Sequence, residues 1–428
     1  MENPMSHSQA ALNRALDEYL GLTGDPVATL SEAVAADPGF ILGHTTIAAL
    51  NSLGGVPGDA EAIRVPLAAA EALQGTASPH EALHISGAGA WARGDIAGAA
   101  AHWETALQHD PADLLALRLA HDTHFFLGAS QKLRDVPLSV LSEYAPDSRQ
   151  RGFVLGMAAF GLEETGEYEA AERAGREAAE VNPADTWGIH AVAHVLEMQN
   201  RPEAGITWLR GLEPYWSIAG GLAVHQWWHL ALYLIETGRF DEVLEVYDAH
   251  MNASAASMIL DLVDAAALLW RLELVGVDVG TRWKDLAPLW AAHAGEHVLA
   301  FNDVHLSFTL TGAGDDAAAD SLEESLTAYV ARQNATNAAV SKTLGLPVMR
   351  GLRSFRKGDY AGTVALLAPT YRQLAPIGGS NAQRDLFIQT LGIAAFKTGD
   401  IELARAIAAD RRHLKAGSPR AWAAWQGR

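Results

Sequence analysis

Four pairs of histidines on expected helices stand three or four residues apart: His80/His84, His121/His124, His190/His194 and His225/His229. Residues at that spacing share one face of an α-helix, so each pair can present two imidazoles to a single point. Imidazole transfers protons near neutral pH and binds divalent metals. In His190-Ala-Val-Ala-His194-Val-Leu-Glu197 a carboxylate follows three residues later, which makes His190, His194 and Glu197 a candidate metal set. Its order differs from the HExxH of zinc proteases, where the Glu lies between the histidines. The alternative is a seam histidine satisfied by its neighbours. A divalent metal such as zinc is therefore the lesser reading.

Other residues extend the polar set. In His121-Asp122-Thr-His124 the carboxylate is expected to orient an imidazole and fix its tautomer, with metal ligation the alternative. His225-Gln-Trp-Trp-His229 joins an imidazole pair to two indoles, of which Trp228 either packs or closes the wall of a pocket. Asp261 and Asp264 are three apart and Arg271 lies two turns later. They form a salt-bridged helix end, a general base with an orienting partner, or oxygen ligands for a metal. Asp303 and His305 are two apart and cannot fully share a face, and His293 and His297 straddle a loop. In Gly378-Gly379-Ser380-Asn381-Ala382-Gln383-Arg384, Ser380 and Gln383 have capping-box spacing. A helix N-terminus there favours an anion, which Arg384 would grip, unless Arg384 pairs with an acid of the preceding repeat.

These residues need elements to position them. Turn signals recur at Gly24-Asp25, Gly58-Asp59, Gly94-Asp95, Gly128, Gly166-Glu167, Asn200-Arg201, Gly238-Arg239, Gly276, Gly314-Asp315, Gly358-Asp359 and Gly399-Asp400, with apolar helical stretches on both sides. This is the signature of stacked helical hairpins. Two units fit the tetratricopeptide repeat (TPR) pattern: Gly94-Asp95 with Ala99, Trp103, Ala106 and Pro111, and Gly166 with Tyr168, Ala171, Ala178 and Pro183. The expected fold is an all-α, TPR-like α-solenoid of about eleven hairpins over residues 1–428. Residues 1–100 are the least characteristic, 101–410 form the core, and 411–428 are a C-terminal cap or tail. His44, His80, His84, His121, His124, His190, His194, His225, His229, His297 and His305 all fall on the helix that precedes a turn. Solenoids of this kind line their concave face with that helix, so these imidazoles are expected to look into one polar concavity.

The chain is 49% apolar and has no cysteine, which excludes disulfides and thiolate chemistry. A formal charge of −20 argues against a nucleic-acid partner. No secretory signal or transmembrane run is visible, so the expected location is cytoplasmic, without a membrane partner. A homo-oligomer is compatible with all of this.

The segments HDTHFFLG (121–128), HAVAHVLEMQNR (190–201), HQWWHLALYLIETGRF (225–240), DLVDAAALLWRLELVGVDVGTRW (261–283), FNDVHLSF (301–308) and IGGSNAQRDLF (377–387) together resemble the tetratricopeptide repeat protein 38 family. They occur in family order and cover about residues 100 to 410. The resemblance implies a cytosolic TPR-like solenoid and brings no established reaction. One departure is Asn200, where the family usually has Gly; Asn tolerates the left-handed geometry of such a turn. The expected function is binding of a small anionic molecule, with hydrolysis or other acid–base chemistry by a hydrolase or lyase. In that reading His124, His190, His194, His229 and Asp264 are catalytic. His121, Asp122, Trp228, Arg271, His305, Ser380 and Arg384 bind the substrate. The alternative is a non-catalytic scaffold for a peptide or protein.

Overall fold

The computed structural model describes residues 6–256, 258–332 and 334–415, and among these there are helices and turns but no strand. The chain is an α-solenoid in which successive helices pair as antiparallel hairpins and pack on their neighbours. It divides into two compact units, Met1–Ala191 with Pro214–Leu222, and Val192–Glu213 with Ala223–Arg428. The helix Thr186–Met198 passes from the first to the second.

Gly-Asp dipeptides make the hairpins because the two residues do different jobs. Gly94 has φ +80°, and the next N–H, that of Asp95, reaches back to the Ala90 carbonyl at 2.9 Å, closing the helix in a Schellman turn. The Asp95 carboxylate then accepts the N–H of Gly98 at 2.9 Å and caps the following helix. Asp25, Asp315, Asp359 and Asp400 cap in the same way. Small residues let the paired helices close up. Ala99, Ala106, Ala171 and Ala178 are fully buried, and a Cβ on Gly87 would lie 2.7 Å from the Trp103 indole.

Gly58-Asp59 behaves differently from expectation. The helix Ile41–Leu53 turns at Gly55, which has φ +87°, while Gly58 passes so close to the Ala92 carbonyl that a Cβ would sit 2.0 Å from its oxygen. Gly58 thus serves close approach instead of turn geometry.

Asn200 adopts φ +52°, and the N–H of Arg201 closes the turn on the Leu196 carbonyl at 2.8 Å. Asn200→Ala should cost about 1 kcal/mol, because alanine meets a steric penalty in the left-handed region. A shift in the urea midpoint would measure it, and an unchanged midpoint would refute this account of the turn.

Candidate functional site

In the second unit, five helices place polar side chains together. Ile259–Leu274 packs against Ala223–Thr237, Ala300–Ala313 and Asn381–Lys397, and the last of these pairs with Ile401–Leu414. On Ala223–Thr237, His225, Trp228 and His229 fall at i, i+3 and i+4, hence on one face. Asp264 and Arg271 are two turns apart on Ile259–Leu274 and likewise share a face. The second-unit part of Thr186–Met198 adds His194 and Glu197.

Two carboxylate–imidazole pairs result. His225 donates Nδ1–H to Asp264 Oδ2 at 2.7 Å, and the Gln383 amide donates to the other oxygen at 3.3 Å. His229 donates Nδ1–H to Glu197 Oε2 at 3.0 Å, while the Lys415 ammonium donates to Glu197 Oε1 at 3.0 Å. A carboxylate at Nδ1 fixes the tautomer and puts the lone pair on Nε2, the basic or metal-binding end of the ring. His194 lies edge-on to His229, with ring centres 4.4 Å apart. One nitrogen from each of His194, His225 and His229 lies within 4.8 Å of the others.

Burial sets the protonation of this cluster. It pushes His229 down to about 4, against the raising effect of the Glu197 hydrogen bond, and it pulls His194 well below its ordinary value, with the two neighbouring histidines adding to the effect. Burial would raise Glu197, but Lys415 and His229 outweigh it and hold the carboxyl below the usual range. His305 donates Nδ1–H to the Phe301 carbonyl at 2.7 Å, leaving a buried Nε2 lone pair without a hydrogen bond among the described residues, and burial lowers it to about 4. Of the three clustered histidines only His225 keeps some exposure, at 13% of its side chain, against 0% for His229.

Arg271 is a buried cation held by uncharged groups. Its Nη2 donates to the carbonyls of Ala382 at 2.7 Å and Gln383 at 3.3 Å, and its guanidinium lies 5.2 Å over the Trp228 ring. It forms no ion pair with a carboxylate among the described residues. Burial lowers its pKa, against the raising field of Asp385, Glu197 and Asp264. Trp228 is fully buried, stacks on His225 at 5.1 Å, and its Nε1–H has no acceptor among the described residues.

Ser380 and Gln383 make the expected capping box, so the Ser380 hydroxyl is spent on the Gln383 N–H. Arg384 folds back on the carbonyls of Gly378 and Gly379 and on Asn381 Oδ1. These bonds tie Arg384 to its own loop. Asp385 instead takes a bidentate pair from Arg411 at 2.6 and 2.8 Å.

The first unit holds the other predicted residues. Asp122 does not orient an imidazole. It accepts from the Tyr19 hydroxyl at 2.5 Å and from Arg118 Nε at 3.0 Å, because both reach it before either histidine of its own helix can. His124 pairs with Glu104 at 2.9 Å. His121 is buried against Phe160 and Trp187, with no hydrogen bond on either ring nitrogen among the described residues, and burial takes it well below its ordinary pKa. His190 packs on the same two rings. His297 lies in the loop before Ala300–Ala313, with φ +48°, and not on a helix as expected; Asp303 and Ser325 hold its two nitrogens.

A groove of about 570 Å³ in the second unit is lined by Trp270, Phe355, Arg356, Tyr360 and Lys397 among others, and by no histidine. No protein-family model matches the chain. Sequence reasoning missed Glu104, Asp113, Arg411 and Lys415. Asp113 carried a signal, since it follows Pro111 at a helix start, but that signal spoke of capping. Lys415 carried none.

Proposed function

We propose that the second unit is a small-molecule acid–base site. His225 transfers the proton, Asp264 positions it, and Arg271 supplies the counter-charge for an anionic substrate. The reaction class is hydrolysis or elimination. What supports this most is the 2.7 Å His225–Asp264 pair, which sets the tautomer of the one clustered imidazole that keeps contact with solvent. Arg271 supports the anionic character, since a buried guanidinium held by carbonyls and an indole face keeps its charge for a ligand.

The experiment is a panel of carboxylate-bearing esters, amides and β-substituted acids. Asp264→Asn should lower kcat by about 10²–10⁴ with little change in KM, as expected when proton transfer is impaired. Arg271→Met should raise KM for the charged substrates only. Equal activity in all three proteins would sink the reading. A chain with no turnover that instead retains a peptide through Arg271 would be a scaffold.

A second reading has a specific observation behind it: nitrogens of His194, His225 and His229 converge within 4.8 Å, and two of these rings are backed by carboxylates, as in zinc sites. Against it, the ammonium of Lys415 already acts on His194 and is bonded to Glu197 at 3.0 Å. Glu197 is tied to Lys415 and His229 and is better placed to orient a ligand than to be one. In the same proposal the chain is a cytoplasmic member of the tetratricopeptide repeat protein 38 family with no nucleic-acid or membrane partner. The charge of −20 supports the first exclusion, and none of the described helices is long and apolar enough to cross a membrane.

A further inference from the structure

We propose that His80, His84 and Asp113, in the first unit, form a binding site for a divalent transition-metal ion of the zinc type, with one coordination position left open. The site is separate from the acid–base cluster and does not rest on its function.

Its geometry follows from two helix starts. The helix Pro79–Ala92 is fixed at its N-terminus by Pro79 and by the reciprocal Ser78/Glu81 capping box. His80 and His84 therefore stand one turn apart on a firmly started helix. Asp113 comes from the next hairpin, where it caps Leu114–Phe126 by accepting the Ala116 N–H on Oδ1 at 3.0 Å. That bond anchors the carboxylate and presents Oδ2 to both imidazoles, 2.7 Å from His80 Nε2 and 3.1 Å from His84 Nε2. The rings are 4.9 Å apart and tilted by 60°, and the three ligand atoms lie within 4.8 Å of one another. Two imidazoles and one carboxylate suit zinc and its neighbours better than calcium or magnesium, which prefer all-oxygen cages.

The surroundings favour a cation. The charged groups that act on His80 are Asp113, Asp110 and Glu81, all acidic. The Tyr144 hydroxyl is buried without a hydrogen-bond partner among the described residues, and Asp113, Asp110 and Glu143 are the charges that act on it. His84 is buried while His80 keeps 32% of its side chain exposed, so solvent reaches the open position. Lys415 is among the charges acting on His194 in the second-unit cluster, whereas the largest charges acting on His80 are all acidic.

The test uses the full chain, stripped with chelator and without an affinity tag, titrated with Zn²⁺ by calorimetry and with Co²⁺ by visible spectroscopy. One equivalent of Zn²⁺ should bind, and Co²⁺ should show the intense ligand-field bands of a four-coordinate site. His84→Ala and, separately, the half-exposed His80→Ala should each weaken that equivalent more than about 100-fold, because loss of second-shell partners alone costs 10–100-fold. Asp113→Asn should weaken it too while keeping the helix cap, since Asn caps as well as Asp. His194→Ala with His229→Ala should leave the affinity unchanged. The proposal is overturned if no Zn²⁺ binds, if His80→Ala binds as the parent does, or if the equivalent disappears with His194 and His229 instead.

Discussion

Lowering the pH from 7 to 4 is expected to destabilise the second unit by several kcal/mol, with most of the loss in place before any ordinary carboxylate titrates. His229 and His305 are buried, and burial depresses both to about 4 in the folded chain, whereas an unfolded histidine titrates near 6.5. Between these values the unfolded state binds more protons than the native state, so stability rises with pH and falls on acidification. Each depression is worth at most roughly 3 kcal/mol once the pH is below both values. His194, lowered in the same sense, adds to the trend. Glu197 and Asp385 carry the loss further. Lys415 and Arg411 hold them below the usual carboxylate range, so their contribution is present above the unfolded values and fades as the pH drops through the folded ones. Urea midpoints taken from pH 7.5 to pH 4 check this. A flat midpoint down to pH 5 would show that these imidazoles are not neutral and buried, and His229→Asn should flatten the curve.

The second large effect concerns Lys415. Its ammonium and the Glu197 carboxylate are both buried and 3.0 Å apart. Lys415→Met leaves a buried carboxylate whose remaining hydrogen-bond partner is the His229 imidazole, and removing one partner of such a pair costs about 3–5 kcal/mol. Glu197→Gln in the same chain should recover more than half of that loss, because the amide oxygen still accepts the His229 Nδ1–H and no charge is left behind. The double-mutant cycle isolates the coupling. Additive single effects, or a Lys415→Met chain within about 0.5 kcal/mol of the parent, would break the argument.

The helical hairpins were legible in the sequence because a Gly that must turn left-handed and an Asp that must cap stand side by side, and local geometry decides both. The capping box at Ser380 was legible for the same reason. The helical histidine pairs were placed well by period alone, yet their partners were not. Asp122 turned to Tyr19, 103 residues away, and His124 to Glu104 on the preceding helix. Asp113 was readable only as a cap, although one oxygen caps and the other meets two imidazoles. Arg384 bonds the carbonyls of its own loop, contacts that the capping-box spacing did not announce. Such outcomes depend on which side chain arrives first across a packed interface, and spacing along one helix does not encode that.

The Glu197–Lys415 pair joins residues 218 positions apart in the chain. During synthesis at 5–20 residues per second, Glu197 therefore waits about 10–40 s for its ammonium to be made. Over that interval the carboxylate cannot be taken out of water, and the helix bearing His194 cannot settle into its final dry packing. The acid–base cluster consequently completes its packing only after residue 415 has been made.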